Sequence, residues 1–255
     1  MKKNRFLNQI SKNQKKVIIT LFFSFAAFCS VIIGLSWDEG FHLLQGKITL
    51  NYLTTFGYVN EQLFYREFYS PIYFTFTYLI TSIFPKIFEV QVQHLINTIV
   101  SFSALFGIAK ISKELFNKEI AYLSFIILFF YPIFFGHMGI NGKDIILATC
   151  HVWITYSILR YLKKQSSNNH VNKYLINIAF LAAIGTGIQL LYLGSFLTII
   201  IFILFDIFFL KKFSNKNFSI KKFILDSIKC FLIFYLLLIL FWIDVHPNII
   251  KLPTT

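Results

Sequence analysis

Charge is what this sequence has least of. Only 14% of its 255 residues are Asp, Glu, Lys or Arg, while 56% are hydrophobic. That shortage excludes a water-soluble domain, which carries charge at about a quarter of its positions. Carboxylates are scarcer still: 11 acidic residues face 24 basic ones, for a net charge of +13. Cysteine is nearly absent. Cys29, Cys150 and Cys230 each lie in an apolar stretch and form no CxxC pair. No disulfide framework and no thiolate metal site is expected from that spacing, and the three read as small buried hydrophobes. The basic balance does not imply a nucleic-acid partner either. Lysines cluster at the ends of apolar blocks, not over a folded polar face.

What the chain has instead is long apolar blocks and 33 phenylalanines. A bilayer's hydrocarbon core, about 30 Å thick, needs about 20 apolar residues per helix. The fold class expected is all-α, a polytopic transmembrane helical bundle of about seven spans. The first is Val17 to Ser36, which has no charged residue and outruns a signal-peptide core. The next three run over 91–111, 120–135 and 145–162. Residues 172–210 suit a hairpin of two shorter helices, broken near Gly185, Gly187 and Gly194. The last span covers 223–243. Pro71 to Phe84 is too short to span and is expected as a helix lying in or dipping into the interface of the first outer loop. The division is thus a basic N-terminus (1–16), a membrane module (17–243) with outer loops at 37–90 and 136–144, and a short outer tail (244–255).

Orientation follows from lysine and arginine placement. With the N-terminus in the cytoplasm, the inside segments 1–16, 110–118, 160–173 and 211–222 hold 18 basic residues and the outside segments five. Seven of the eleven carboxylates fall outside. Membrane lipid is the expected surround, and a bacterial inner membrane the expected location.

The outer face holds the residues that could carry chemistry. Asp38 and Glu39 directly follow the first span, where an ionised carboxylate is costly, about 2.5–3.5 kcal/mol at mid-bilayer and less at the edge. Partial burial there moves a carboxyl toward the range useful to a general base, although a solvated loop start would also explain the pair. The string His137-Met-Gly-Ile-Asn-Gly-Lys-Asp144 joins two spans. Its glycines let backbone N–H groups approach an anion, and Lys143 and His137 offer positive charge and a donor. Asp144 could equally be a helix N-cap. Arg66, the only arginine outside, could grip a phosphate in a fork or pair with Glu61 or Glu67. His42 and His94 read more readily as packing histidines, and so does the Cys150-His151 pair.

The order of these features resembles the GT-C class of membrane glycosyltransferases. The branch it is most similar to holds the dolichyl-phosphate-mannose–protein mannosyltransferases and the aminoarabinose transferase of lipid A. Asp38-Glu39 resembles that branch's acidic pair after the first span. Tyr69-Ser70-Pro71-Ile72-Tyr73 resembles its His-Pro-Pro-Leu-like segment, keeping one proline. Gly136 to Asp144 resembles an Asn-Pro-Lys-Asp loop, with Gly142 at the proline position. Ala183 to Leu193 resembles a segment that often holds an arginine, here Gln189.

The resemblance implies a polyprenyl-phosphate-linked sugar as donor and a protein or lipid hydroxyl as acceptor, with inversion at the anomeric carbon. It implies Asp38 as general base, Glu39 and Asp144 orienting the acceptor or tuning Asp38, and Lys143, Arg66 and His137 on the donor phosphate. No cofactor is required, and a divalent cation is compatible with these residues but not demanded by them. The class is usually longer, so the chain is expected to be its shared module in truncated or partial form. The competing readings are a transporter or flippase component and an inactive fragment of such a transferase.

Overall fold

The computed structural model describes residues 12–36, 38–57, 70–167, 171–214, 218–243 and 246. Arg66, Glu61, Glu67, Trp37 and Asp244 lie outside these described residues. Among them the chain is helical throughout: α1 (Lys12–Ile32), α2 (Glu39–Thr54), α3 (Ile72–Thr81), α4 (Glu89–Leu115), α5 (Lys118–Phe130), α6 (Pro132–His137), α7 (Asp144–Lys164), α8 (Val171–Ile188), α9 (Phe196–Phe205) and α10 (Ile220–Phe241). The all-α polytopic bundle expected from the apolar blocks is therefore what forms. Among the described residues, six helical segments are long and apolar enough to cross a membrane. Leu21, Phe25, Phe130, Phe208, Phe231 and Leu236 turn large apolar side chains outward, a surface suited to lipid and not to water.

The span expected at 120–135 differs, because it is a broken pair. Pro132 has no N–H to donate and disfavours helical geometry in the residue before it. Tyr131 is accordingly extended (φ −70°, ψ 114°), α5 stops, and α6 restarts with the proline in its first turn. The expected hairpin break is present. Gln189 is extended (φ −153°, ψ 118°), and a 3₁₀ turn over Leu190–Ser195 joins α8 to α9.

Of the six long apolar segments, those of α4, α7 and α8 are the most buried, and those of α1, α9 and α10 the least. α4 packs against α1, α3, α5 and α7. Helix α2, in a stretch expected from sequence only as outer loop, is held by α3. Gly46 makes that pairing: a Cβ there would overlap the Phe74 carbonyl, so the two helices meet backbone to backbone. The short helix expected at 71–84 is α3. Its Ile72, Tyr73, Phe74, Thr75, Thr77 and Thr81 are all buried, wedged among α2, α4 and α8.

The two ends of the bundle differ in chemistry. At one end Lys15 Nζ donates to the Tyr122 hydroxyl (2.9 Å), Arg160 and Lys163 clasp Glu114, and Gln165 exchanges hydrogen bonds with the Ser219 backbone (2.8 and 2.9 Å). Segments that the lysine count puts together thus lie together. The opposite end carries the α1–α2 turn and the α6–α7 loop.

A candidate active site between two loops

Asp38 and Lys143, 105 positions apart in sequence, line one cavity of about 300 Å³ with Ser36, Glu39, His42, His137, Asn141 and Asp144. Two loops form it, and α4 holds both. Asn97 Nδ2 donates to the Gly139 carbonyl (2.8 Å) while its Oδ1 accepts from the Tyr73 hydroxyl (2.6 Å). Ser101 Oγ donates to the Met138 carbonyl (3.0 Å). Gly139 also lets Ser30 of α1 press against the loop, where a Cβ would lie 2.5 Å from Ser30 Oγ. Ser36 Oγ reaches the Ile140 carbonyl at 3.4 Å, closing the two loops on each other.

The acidic pair is split. Asp38 precedes α2 with an exposed side chain that makes no capping hydrogen bond. Glu39 turns inward and is 1% exposed. Its Oε2 accepts from the Ser36 amide (2.6 Å), and its Oε1 lies 2.8 Å from His94 Nε2. His94 is wholly buried, and its Nδ1 lies 2.8 Å from the Ser30 carbonyl oxygen. Removing one partner of a buried pair costs about 3–5 kcal/mol, because an uncompensated charge stays behind.

The α6–α7 loop corrects the capping role open to Asp144. Asn141 does that work: its Oδ1 accepts from the amides of Lys143 (3.1 Å) and Asp144 (2.8 Å). The Asp144 carboxylate is free of the cap and accepts from Asn141 Nδ2 at 3.2 Å. The same amide group lies 3.3 Å from His137 Nδ1, which must accept there and so carries its proton on Nε2 when neutral. Lys143 makes no ion pair among the described residues. Positive charge, an exposed carboxylate and an imidazole therefore share one small cleft. No cluster of three metal-binding side chains occurs among the described residues.

Two of these residues were undervalued in the sequence. His42 lines the cavity with its ring stacked on Phe74 (4.1 Å, 5°), and its buried Nδ1 has no partner among the described residues. Burial pushes its pKa below the ordinary value; the Asp38 and Glu39 carboxylates oppose that shift and the Lys143 ammonium adds to it. A depressed pKa stabilises the fold fully above the unfolded value of about 6.5. The contribution is lost as pH falls from there through the folded-state value. Thermal unfolding in detergent should therefore show Tm falling on acidification below about pH 6.5, and His42→Phe should make that fall shallower. An identical slope in both proteins would contradict it. For His94 the signal was its neighbours: Asn97, Thr98 and Ser101 repeat at helical spacing on an otherwise apolar span.

Compared with known families, residues 69–243, most of the chain, match the model of the dolichyl-phosphate-mannose-protein mannosyltransferases. The chain belongs to this family. Membership supports a membrane glycosyltransferase in general terms, and the apolar helices an integral membrane protein. The match to the mannosyltransferase family takes in α4 and the α6–α7 loop but begins after Asp38 and Glu39. Those two residues join the matched region through the His94 contact and the shared cavity. No curated protein and no solved structure gives a significant match.

Proposed function

We propose that this protein moves a sugar from a polyprenyl-phosphate donor to an acceptor hydroxyl, with inversion, at the non-cytoplasmic face of a bacterial inner membrane. The observation that carries the reading is the single cleft shared by the exposed Asp38 carboxylate and Lys143. In the reaction the acceptor oxygen attacks the anomeric carbon as its proton passes to Asp38. The bond from that carbon to the phosphate oxygen breaks, and the polyprenyl phosphate leaves with the electron pair. Attack opposite the leaving group inverts the centre. Lys143, helped by His137, stabilises the charge that grows on the phosphate, and a fixed cation aimed at developing charge is the effective kind. Asp144 orients the acceptor, and Arg66 is a further candidate for the phosphate.

A cleft of about 300 Å³ is at the small end of ligand sites, which run from about 300 to 1,000 Å³. It suits one sugar ring and a phosphate, with the polyprenyl tail left in the bilayer. The lysine-rich end, N-terminus included, then faces the cytoplasm.

The test is transfer by the purified chain in lipid vesicles. Polyprenyl-phosphate mannose and other polyprenyl-phosphate sugars are offered with serine- or threonine-containing peptides and with lipid acceptors. Sugar bound to an acceptor, with the anomeric configuration reversed, is the expected product. Uptake of a soluble solute without any transfer would overturn the reading in favour of a transporter.

A further inference from the structure

We infer that His94 and Glu39 form a buried pair sharing one proton, and that the pair is a positioning device: it anchors the α1–α2 turn so that Asp38 carries the exposed carboxylate of the two. The inference rests on the functional reading above for what Asp38 does, and on geometry for the pair itself.

A carbonyl oxygen can only accept, so the 2.8 Å contact to Ser30 requires the proton on His94 Nδ1. The second ring nitrogen lies 2.8 Å from Glu39 Oε1, within ion-pair distance though not aligned as a hydrogen bond, and two lone-pair-bearing atoms approach that closely only when one of them carries a proton. It sits either on Nε2, giving imidazolium and carboxylate, or on Glu39, giving neutral imidazole and carboxylic acid. Both arrangements have zero net charge. With exposures of 0% and 1%, both side chains are shut off from solvent, and the two oxygens of Glu39 are taken up by His94 and by the Ser36 amide. Glu39 is thereby withdrawn from acid–base work on a substrate.

What the pair does instead follows from its other bonds. Glu39 Oε2 holds the Ser36 amide, and the Ser36 hydroxyl reaches the Ile140 carbonyl of the opposite loop. The Asp38 carbonyl accepts from the His42 amide one turn into α2. Asp38 therefore sits on a turn fixed to α4 on one side and to the α6–α7 loop on the other. His94 itself is anchored to α1: its carbonyl and Ser30 Oγ both lie within hydrogen-bonding distance of the Thr98 hydroxyl. His94 does not line the Asp38–Lys143 cavity, so it is a positioning residue and not a catalytic one.

A double-mutant cycle tests this with two readouts on full-length protein. His94→Ala leaves Glu39 a buried carboxylate without its charge partner; Glu39→Gln in the same chain removes the charge. The expected result is a fall of about tenfold or more in kcat for His94→Ala, with donor KM little changed, and recovery of most of that loss in the H94A/E39Q protein. Tm should show the same non-additivity, whether or not a donor has been found. If Tm couples but the rate does not recover, the pair is merely structural and the positioning role is overturned. If neither couples, the shared proton is overturned. If wild type transfers no sugar from any donor while Tm couples, the functional reading fails and the pair stands. Should His94→Ala not fold, folding of H94A/E39Q is itself the coupling; if neither folds, H94Q against H94Q/E39Q makes the same comparison.

Discussion

Asp38→Asn is expected to slow sugar transfer by about 10²–10⁴-fold, the usual worth of a positioned general base. The change is isosteric; it removes the carboxylate charge and with it the ability to take a proton. It should not disturb the fold, because the Asp38 side chain is exposed and makes no capping bond that asparagine would lose. Exposed substitutions of this kind stay within about 0.5 kcal/mol of wild type. Rate and stability should thus separate: a large loss in kcat, an unchanged Tm, and donor affinity little altered. Glu39→Gln is the instructive contrast. Its partner His94 is buried with it, so that change should register in stability as well as in rate. Wild-type turnover by Asp38→Asn in a donor-saturated assay would remove Asp38 as the base.

The separation of the acidic pair was not legible from the sequence, where Asp38 and Glu39 are neighbours on equal terms. What divides them is a helix. Once α2 begins at Glu39, successive side chains point about 100° apart, so the two carboxylates cannot share one heading, and it is Glu39 that turns into the bundle. That α2 exists at all was hidden, since EGFHLLQGKITLNYLT has two glycines and no apolar stripe. Its stability comes from contact with α3 at Gly46, a tertiary cause that propensity cannot reveal.

The apolar spans were legible because the bilayer demands a length that the sequence must supply. The common end of Asp38 and Lys143 was legible too, from lysine counts alone. The broken span at Pro132 carried its own sign, which a reading by hydropathy passes over. The meeting of the two loops was not legible. It depends on Asn97, Ser101 and His94, single polar residues in an apolar helix. Such residues look like packing until their partners, tens of positions away, are known. Their cost in a membrane is the physical reason to expect partners. In this protein the partners are the carbonyls of the α6–α7 loop, a carbonyl of α1 and the carboxylate of Glu39. These buried groups gather at one end of the bundle, the arrangement that the proposed interfacial transfer needs, where a transporter would keep them for a path through its middle.

Lys143→Ala should carry the second large effect, about 10²–10³-fold in kcat, the scale seen when one group stabilising developing charge is deleted. The backbone around Lys143 does not depend on its side chain. Its amide is held by Asn141 Oδ1, and the neighbouring Gly142 lies against Asn97. The ammonium is therefore separable from the loop that presents it. It also stands at the first turn of α7, where the helix dipole adds positive potential for an incoming phosphate. A cation that acts on the leaving group has a further signature. Polyprenyl phosphate, the product, should inhibit wild type by occupying the same spot, and Lys143→Ala should weaken that inhibition along with the rate. Lys143→Arg keeps the charge and should keep most of the inhibition. If alanine instead raised only the KM for the acceptor and left product inhibition intact, Lys143 would belong to the acceptor side of the cleft and the assignment of the donor phosphate would move to His137 and Arg66.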